Sequence, residues 1–155
     1  MKLLLGRRAV LVSLASAVAV PSSIVAQTAE IWSAKDTYMA LDSDLIRMID
    51  VRSRAEWVET GVAEKAWAIS LHEDRFAERL FEARVLADGR EIALICATGG
   101  RSGRVMRSLQ NAGYDGFIDV SEGMLGSERG QGWIAAGLPV VNIENAIAAL
   151  PKPLI

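Results

Sequence analysis

Along this chain the spacing of apolar residues switches repeatedly between the period of two of a half-buried strand and the wider period of an amphipathic helix. Ser33 stands where a helix cap belongs, ahead of Ala34, Tyr38 and Leu41 on one helical face. Residues 46–51 read as a strand, 54–60 as a helix stopped by Gly61, and 67–69 as a short strand. A further helix is predicted over about 74–86, with Phe76, Leu80 and Ala83 as its apolar stripe. Asp88 and Gly89 then turn the chain into an apolar strand over 92–96. The next helix is predicted from Ser102, with Val105, Met106, Leu109 and Ala112 inward and Gly113 as its stop. Residues 117–120 are the last clear strand. Strands alternating with helices predict an α/β domain with parallel strands and helices on both faces, and such sheets carry their sites beyond the carboxyl ends of the strands.

The first residues break this alternation. Lys2, Arg7 and Arg8 precede an apolar, small-residue stretch over 9–20, and residues 21–26 resemble a cleavage region. The expectation is an export signal peptide over 1–26, a single domain over 27–155 and a periplasmic location. The apolar stretch falls short of the roughly 20 residues that a membrane span needs, so no stable membrane anchor is expected. The adjacent Arg7 and Arg8 fit both a twin-arginine signal and an ordinary basic start.

Charge and cysteine usage narrow the chemistry. Without Lys2, Arg7 and Arg8 the chain keeps 14 basic against 19 acidic residues, a net charge of about −5 that argues against a nucleic-acid partner. One cysteine forms no internal disulfide, so the fold must rest on its apolar core.

That cysteine carries the main chemical signal. Cys96 ends the strand 92–96 and is followed by Ala97, Thr98, Gly99, Gly100, Arg101 and Ser102. Glycines free the backbone to curl, and a helix start offers unpaired N–H groups and partial positive charge, which favour a thiolate and an anion before it. A free cysteine titrates near about 8.5, and such surroundings lower this to roughly 3.5–7.5. This reading requires a thiol that water and reagents can reach. The bland alternative is an inert buried thiol, which is common for free cysteine.

Three blocks then resemble the rhodanese family of sulfurtransferases. The first is Ile49, Asp50, Val51 and Arg52 followed by Glu56 and Trp57; the second is Cys96 to Ser102, with Leu109, Gly113 and Tyr114 downstream. The third is Gly123 and Met124, then Trp133 and Gly137 to Val140. The resemblance implies a rhodanese-like three-layer fold with a mainly parallel central sheet. It also implies an activity: Cys96 takes sulfane sulfur from a small anionic donor such as thiosulfate, becomes a persulfide, and passes the sulfur to cyanide, a thiol or a protein acceptor. Ala97, Thr98, Gly99, Gly100, Arg101 and Ser102 would bind the substrate, with Arg101 pairing to backbone carbonyls or an anion. No metal and no organic cofactor is implied. The four residues between Cys96 and Arg101 match the family's sulfurtransferases, whereas its phosphatase relatives have five. The alternative is a catalytically weak module that carries sulfur or binds a partner.

Several residues depart from the family pattern or invite a second reading. Where the family has Gly-His-Ile-x-Gly-Ala, residues 61–66 lack the histidine, and the sole histidine, His72, reads as a surface residue. Glu122 occupies the first position of an expected glycine pair, where an inward carboxylate would repel an anionic donor and an outward one would not matter. Asp50 is expected to cap the helix at Arg54, Arg52 to pair with Glu56, and the four tryptophans to pack in the core. Arg104 and Arg107 would either draw anions or form a solvated helix face.

Overall fold

A computed structural model describes residues 30–155. The proposed leader over 1–26 and its cleavage region lie outside those residues.

The chain runs β1 (Glu30–Trp32), α1 (Ala34–Asp42), β2 (Ile46–Asp50), α2 (Arg54–Thr60), β3 (Val62–Ala63), β4 (Trp67–Ala68), α3 (Phe76–Leu86), β5 (Glu91–Ile95), α4 (Gly100–Asn111), β6 (Phe117–Val120), α5 (Gly132–Ala135), β7 (Val140–Val141) and α6 (Ile143–Ala148), and closes with a short 3₁₀ turn, Lys152–Leu154. Five strands form one sheet in the order β1-β6-β5-β2-β4, all parallel. Central β5 is buried at Ile92, Ala93, Leu94 and Ile95, as a parallel strand covered on both faces must be.

The pleat sorts these residues into two cores. Ala93 and Ile95 of β5 join Ile118 and Val120 of β6 beneath α1, Trp57 of α2, Trp133 of α5 and Ile143 of α6. Ile92, Leu94 and Cys96 join Ile49 and Phe117 beneath Leu80 and Ala83 of α3 and Met106 and Leu109 of α4. Two apolar layers on one sheet give the predicted three-layer fold. Each fully buried large side chain contributes about 1.5–3 kcal/mol, and Trp57, Trp133 and Met48 are among those below 2% exposure. Trp32 and Trp67 pack partly buried against these same cores.

Local capping explains several boundaries. Ser33 accepts the Asp36 N–H at 3.1 Å at the start of α1. Ser53 and Glu56 form a reciprocal capping box that starts α2, and Gly61, at φ 75°, ends it. So Ser53, and not Asp50, caps that helix. Helix α3 starts two residues later than predicted, because residues 70–76 first make turns in which Glu73 N–H reaches Ser70 O and Phe76 N–H reaches Glu73 O. Helix α4 starts two residues earlier, because left-handed Gly99 lets its carbonyl accept the Gly103 N–H at 3.0 Å. The pattern also missed a small antiparallel sheet in which Val62 pairs with Val141 and Ala63 with Val140.

Among the described residues, no helix is long and apolar enough to cross a membrane.

Candidate functional site

The strands β2, β5 and β6 end side by side, and the segments that follow them meet over the sheet. After β5 the chain makes an irregular loop over 96–99 and enters α4. The carbonyls of Cys96 and Ala97 accept the Met124 and Leu125 N–H groups at 2.8 and 2.9 Å. By contrast, the amide N–H groups from Ala97 to Ser102 donate to no backbone carbonyl among the described residues. A loop with its carbonyls engaged and its donors free is a device for holding negative charge.

Two left-handed glycines permit this arrangement. Gly99 has φ 81°, and a Cβ on it would stand 2.2 Å from Ser121 O. Gly123 has φ 70°, and a Cβ on it would stand 2.3 Å from Ala97 O. The loops after β5 and β6 are therefore pressed backbone to backbone. Only residues without a side chain fit there.

Cys96 corrects one expectation. Its side chain is 1% exposed and belongs to the apolar cluster shared with Ile49, Val51, Leu94 and Met106. The alternation Ile92, Leu94, Cys96 carries the thiol onto the sheet face beneath α4 instead of outward to water. Its Sγ lies 3.5 Å from the Oγ of Ser102, which is itself fully buried and also 3.3 Å from Gly99 O. Thr98 and Gly100 are exposed on the loop, and Ala97, Gly99 and Arg101 are half-buried.

Arg101 also departs from expectation, since its guanidinium pairs with the carboxylate of Glu56 and not with backbone carbonyls. Nη1 is 2.8 Å from Oε2, and Nη2 faces Oε1. That bond from Arg101, helped by the Ser53 backbone and hydroxyl, holds the Glu56 carboxyl down at about 2, against the desolvation that would raise it. The same bond from Glu56 raises the Arg101 guanidinium above its ordinary value, against the desolvation that would lower it. Arg52 does not pair with Glu56. It is 1% exposed, grips Asp50 through Nε and Nη2, and donates to Thr60 Oγ1 and Gly61 O, both at 2.7 Å.

The remaining residues make contacts of their own or face solvent. Glu122 turns along its own loop, where its carboxylate accepts the Gly132 N–H at 3.1 Å and packs against Gly130. His72 is exposed, and its backbone N–H reaches Ser70 Oγ. Arg104 and Arg107 are exposed on α4. Asp119, which the sequence reading passed over, is buried beside α4. An acidic residue inside the apolar run 117–120 was the available signal.

Comparison with known proteins gives these features a context. Residues 33–128 match the model of the family described as the rhodanese-like domain. The chain is similar to an uncharacterised protein of Synechocystis sp., 31% identical over 104 residues, covering 66% of this chain and 51% of that one. It thus spans about half the length of that relative. An uncharacterised protein of Rickettsia rickettsii is 27% identical over 119 residues, covering 70% of this chain and 94% of that one. Among solved structures, the rhodanese-related protein of Thermoplasma volcanium is 26% identical at a TM-score of 0.51, covering 72% of this chain and 97% of that one. The polysulfide-sulfur transferase homodimer of Wolinella succinogenes is 21% identical at a TM-score of 0.53, covering 74% and 79%, and shares the fold.

Proposed function

The chain belongs to the rhodanese-like domain family, and from that membership we propose that it is a sulfurtransferase carrying sulfane sulfur on Cys96. The single observation that supports this most is the loop from Ala97 to Ser102, whose N–H groups are unspent at the end of the strand that delivers the only cysteine.

In the proposed reaction the Cys96 thiolate attacks the outer sulfur of thiosulfate. A new S–S bond forms as the old one breaks, and sulfite leaves with the electron pair. A thiolate or cyanide then attacks the outer sulfur of the Cys96 persulfide and restores the thiolate. The free amides of residues 97–102 would stabilise the anionic sulfur in both steps. Arg101 would position the loop through Glu56. Because Cys96 is buried, the proposed cycle requires the loop to part before a donor or acceptor reaches the thiol. Export to the periplasm, resting on residues 1–26, forms part of this proposal.

The buried thiol and the neutralised Arg101 favour a second reading, a sulfur carrier or partner-binding module with little turnover. One experiment tests both. Purified protein is incubated with thiosulfate and weighed intact. Gain of one sulfur atom by the wild type but not by Cys96→Ala supports sulfur loading, and no gain overturns it. Cyanide-dependent turnover then separates enzyme from carrier. Detection of full-length, unprocessed protein in the cytoplasmic fraction would remove the export element.

A further inference from the structure

Between α4, the β1 edge of the sheet and the loop over 127–129 lies a cleft of about 420 Å³ that the proposed reaction leaves unused. Asp119 of β6 lines it. The sheet register sets Asp119 beside Leu94 on one side and Ile31 on the other, so its side chain lies on the Leu94 face, under α4. Asp119 is 7% exposed, and its Oδ1 is buried with no hydrogen-bond partner among the described residues. A buried acceptor without a donor is costly, and burial pushes this carboxyl up. A cationic donor from a ligand would offset both.

The charges around that acceptor are balanced. Gly103 brings no side chain to the wall, and a Cβ there would stand 3.4 Å from Asp119 Oδ2 and 3.6 Å from Arg107 Nη1. The bare backbone is thus flanked by a carboxylate and a guanidinium. Arg107 and Arg129 both line the cleft, and neither is in an ion pair with a described residue. Glu128 lines it as well, so Asp119 and Glu128 face Arg107 and Arg129 in equal number. Such a lining complements a zwitterion better than a simple anion or cation. Exposed Ile31 and buried Met106 add apolar wall. The volume falls in the usual range for small-molecule sites, roughly 300–1,000 Å³.

We infer that this cleft binds the head group of an α-amino acid. Its ammonium donates to Asp119 Oδ1, its carboxylate accepts from Arg107 and Arg129, and its side chain rests against Ile31 and Met106. Two sources carry that head group: a free amino acid, and a cysteine-like thiol that receives sulfur from Cys96. Thr98, Gly99 and Gly100 line the same cleft and belong to the loop that starts at Cys96. The second source rests on the proposed function. The binding site itself does not.

Isothermal titration of the full chain with S-methyl-L-cysteine, which has the head group and no free thiol, tests the site. Saturable binding is expected, with a Kd on the order of 1 mM. Two truncated analogues, 3-(methylthio)propionate without the ammonium and 2-(methylthio)ethylamine without the carboxylate, should each bind about tenfold more weakly, the worth of one charge-assisted hydrogen bond. Asp119→Asn should weaken S-methyl-L-cysteine binding by about the same factor. Absence of saturation, equal affinity for either analogue, or unchanged affinity in a folded Asp119→Asn overturns the site. If Asp119→Asn fails to fold, the analogues on the wild type and the double change Arg107→Met with Arg129→Met, both at exposed positions, decide. Sulfur release from loaded Cys96 to cysteine and to N-acetylcysteine, compared between wild type and variant, then separates the sources. Slowing with cysteine alone identifies the thiol acceptor, and no cysteine-specific slowing assigns the site to a free amino acid. The titration involves no sulfur transfer, so absence of binding removes the site and leaves the proposed function, while absence of sulfur loading removes the proposed function and leaves the site.

Discussion

The guanidinium of Arg101 and the carboxylate of Glu56 lie fork to fork, tying the end of the Cys96 loop to the cap of α2, 45 residues earlier in the chain. Glu56 closes the capping box with Ser53 through the same carboxylate. A single acidic side chain therefore starts one helix and anchors the first turn of another.

This double use has a pH signature. The Glu56 carboxyl titrates at about 2 in the folded protein against an ordinary 4.5. A folded value below the unfolded one gives stability that is complete above the ordinary value and is lost as pH falls toward the folded value. In Glu56→Gln the capping box survives, because glutamine also serves at that position, while the charged pair with Arg101 is lost. The wild type should melt above the variant at neutral pH, and the gap should close as pH falls from 4.5 to about 2. Thermal unfolding of both proteins across that range checks it; a constant gap would show that Glu56 acts through its shape alone.

Adjacent glycines in the Cys96 loop should respond oppositely to one added methyl group. At Gly99 a Cβ would stand 2.2 Å from Ser121 O at φ 81°, whereas at Gly100 it would meet nothing within 4 Å. Gly99→Ala is expected to cost about 2 kcal/mol or more, from backbone strain and the clash together. Gly100→Ala should stay within about 0.5 kcal/mol of wild type. Urea unfolding midpoints compare the two, and sulfur loading at Cys96 should fall with Gly99→Ala only.

The Asp50–Arg52 pair is a structural lock below the site. Asp50 is 0% exposed and Arg52 1%, and the guanidinium spends its other donors on Thr60 and Gly61. Removing one member of a buried pair leaves an uncompensated charge, at a cost of about 3–5 kcal/mol. Arg52→Met should therefore destabilise strongly, and the double change Asp50→Asn with Arg52→Met by less than the sum of the single changes. A double-mutant cycle from denaturant curves measures the coupling.

What could be read from the chain alone was what is decided locally. Helix α2 matched its expected bounds because Ser53, Glu56 and Gly61 set both ends within a few residues, and β6 because four buried residues lie between turns. The pairing of β3 with β7 joins two-residue strands far apart in sequence, too short for any period to mark them. The same distance hid the partner of Arg101. The rule of alternation did place Cys96 with Ile92 and Leu94, yet the glycines after it drew attention to an open loop. Asp119 was hidden by its setting, a single acid among apolar strand residues whose carboxyl is pushed up by burial beside α4.

Glu122 brings local and tertiary readings into direct conflict. Its position beside Gly123 suggests a carboxylate that repels anionic donors, so that Glu122→Gly would speed sulfur loading from thiosulfate. In the folded chain that carboxylate is engaged in its own loop, accepting the Gly132 N–H and resting on Gly130. Removing it frees a backbone donor and loosens the turn that holds Met124 and Leu125 against the carbonyls of Cys96 and Ala97. Glu122→Gly is therefore expected to lose about 0.5–1.5 kcal/mol, the net worth of one hydrogen bond, and to gain nothing in loading rate. Loading kinetics over a range of thiosulfate concentrations, run beside a urea curve, check both halves. Faster loading at low thiosulfate would return Glu122 to the mouth of the site.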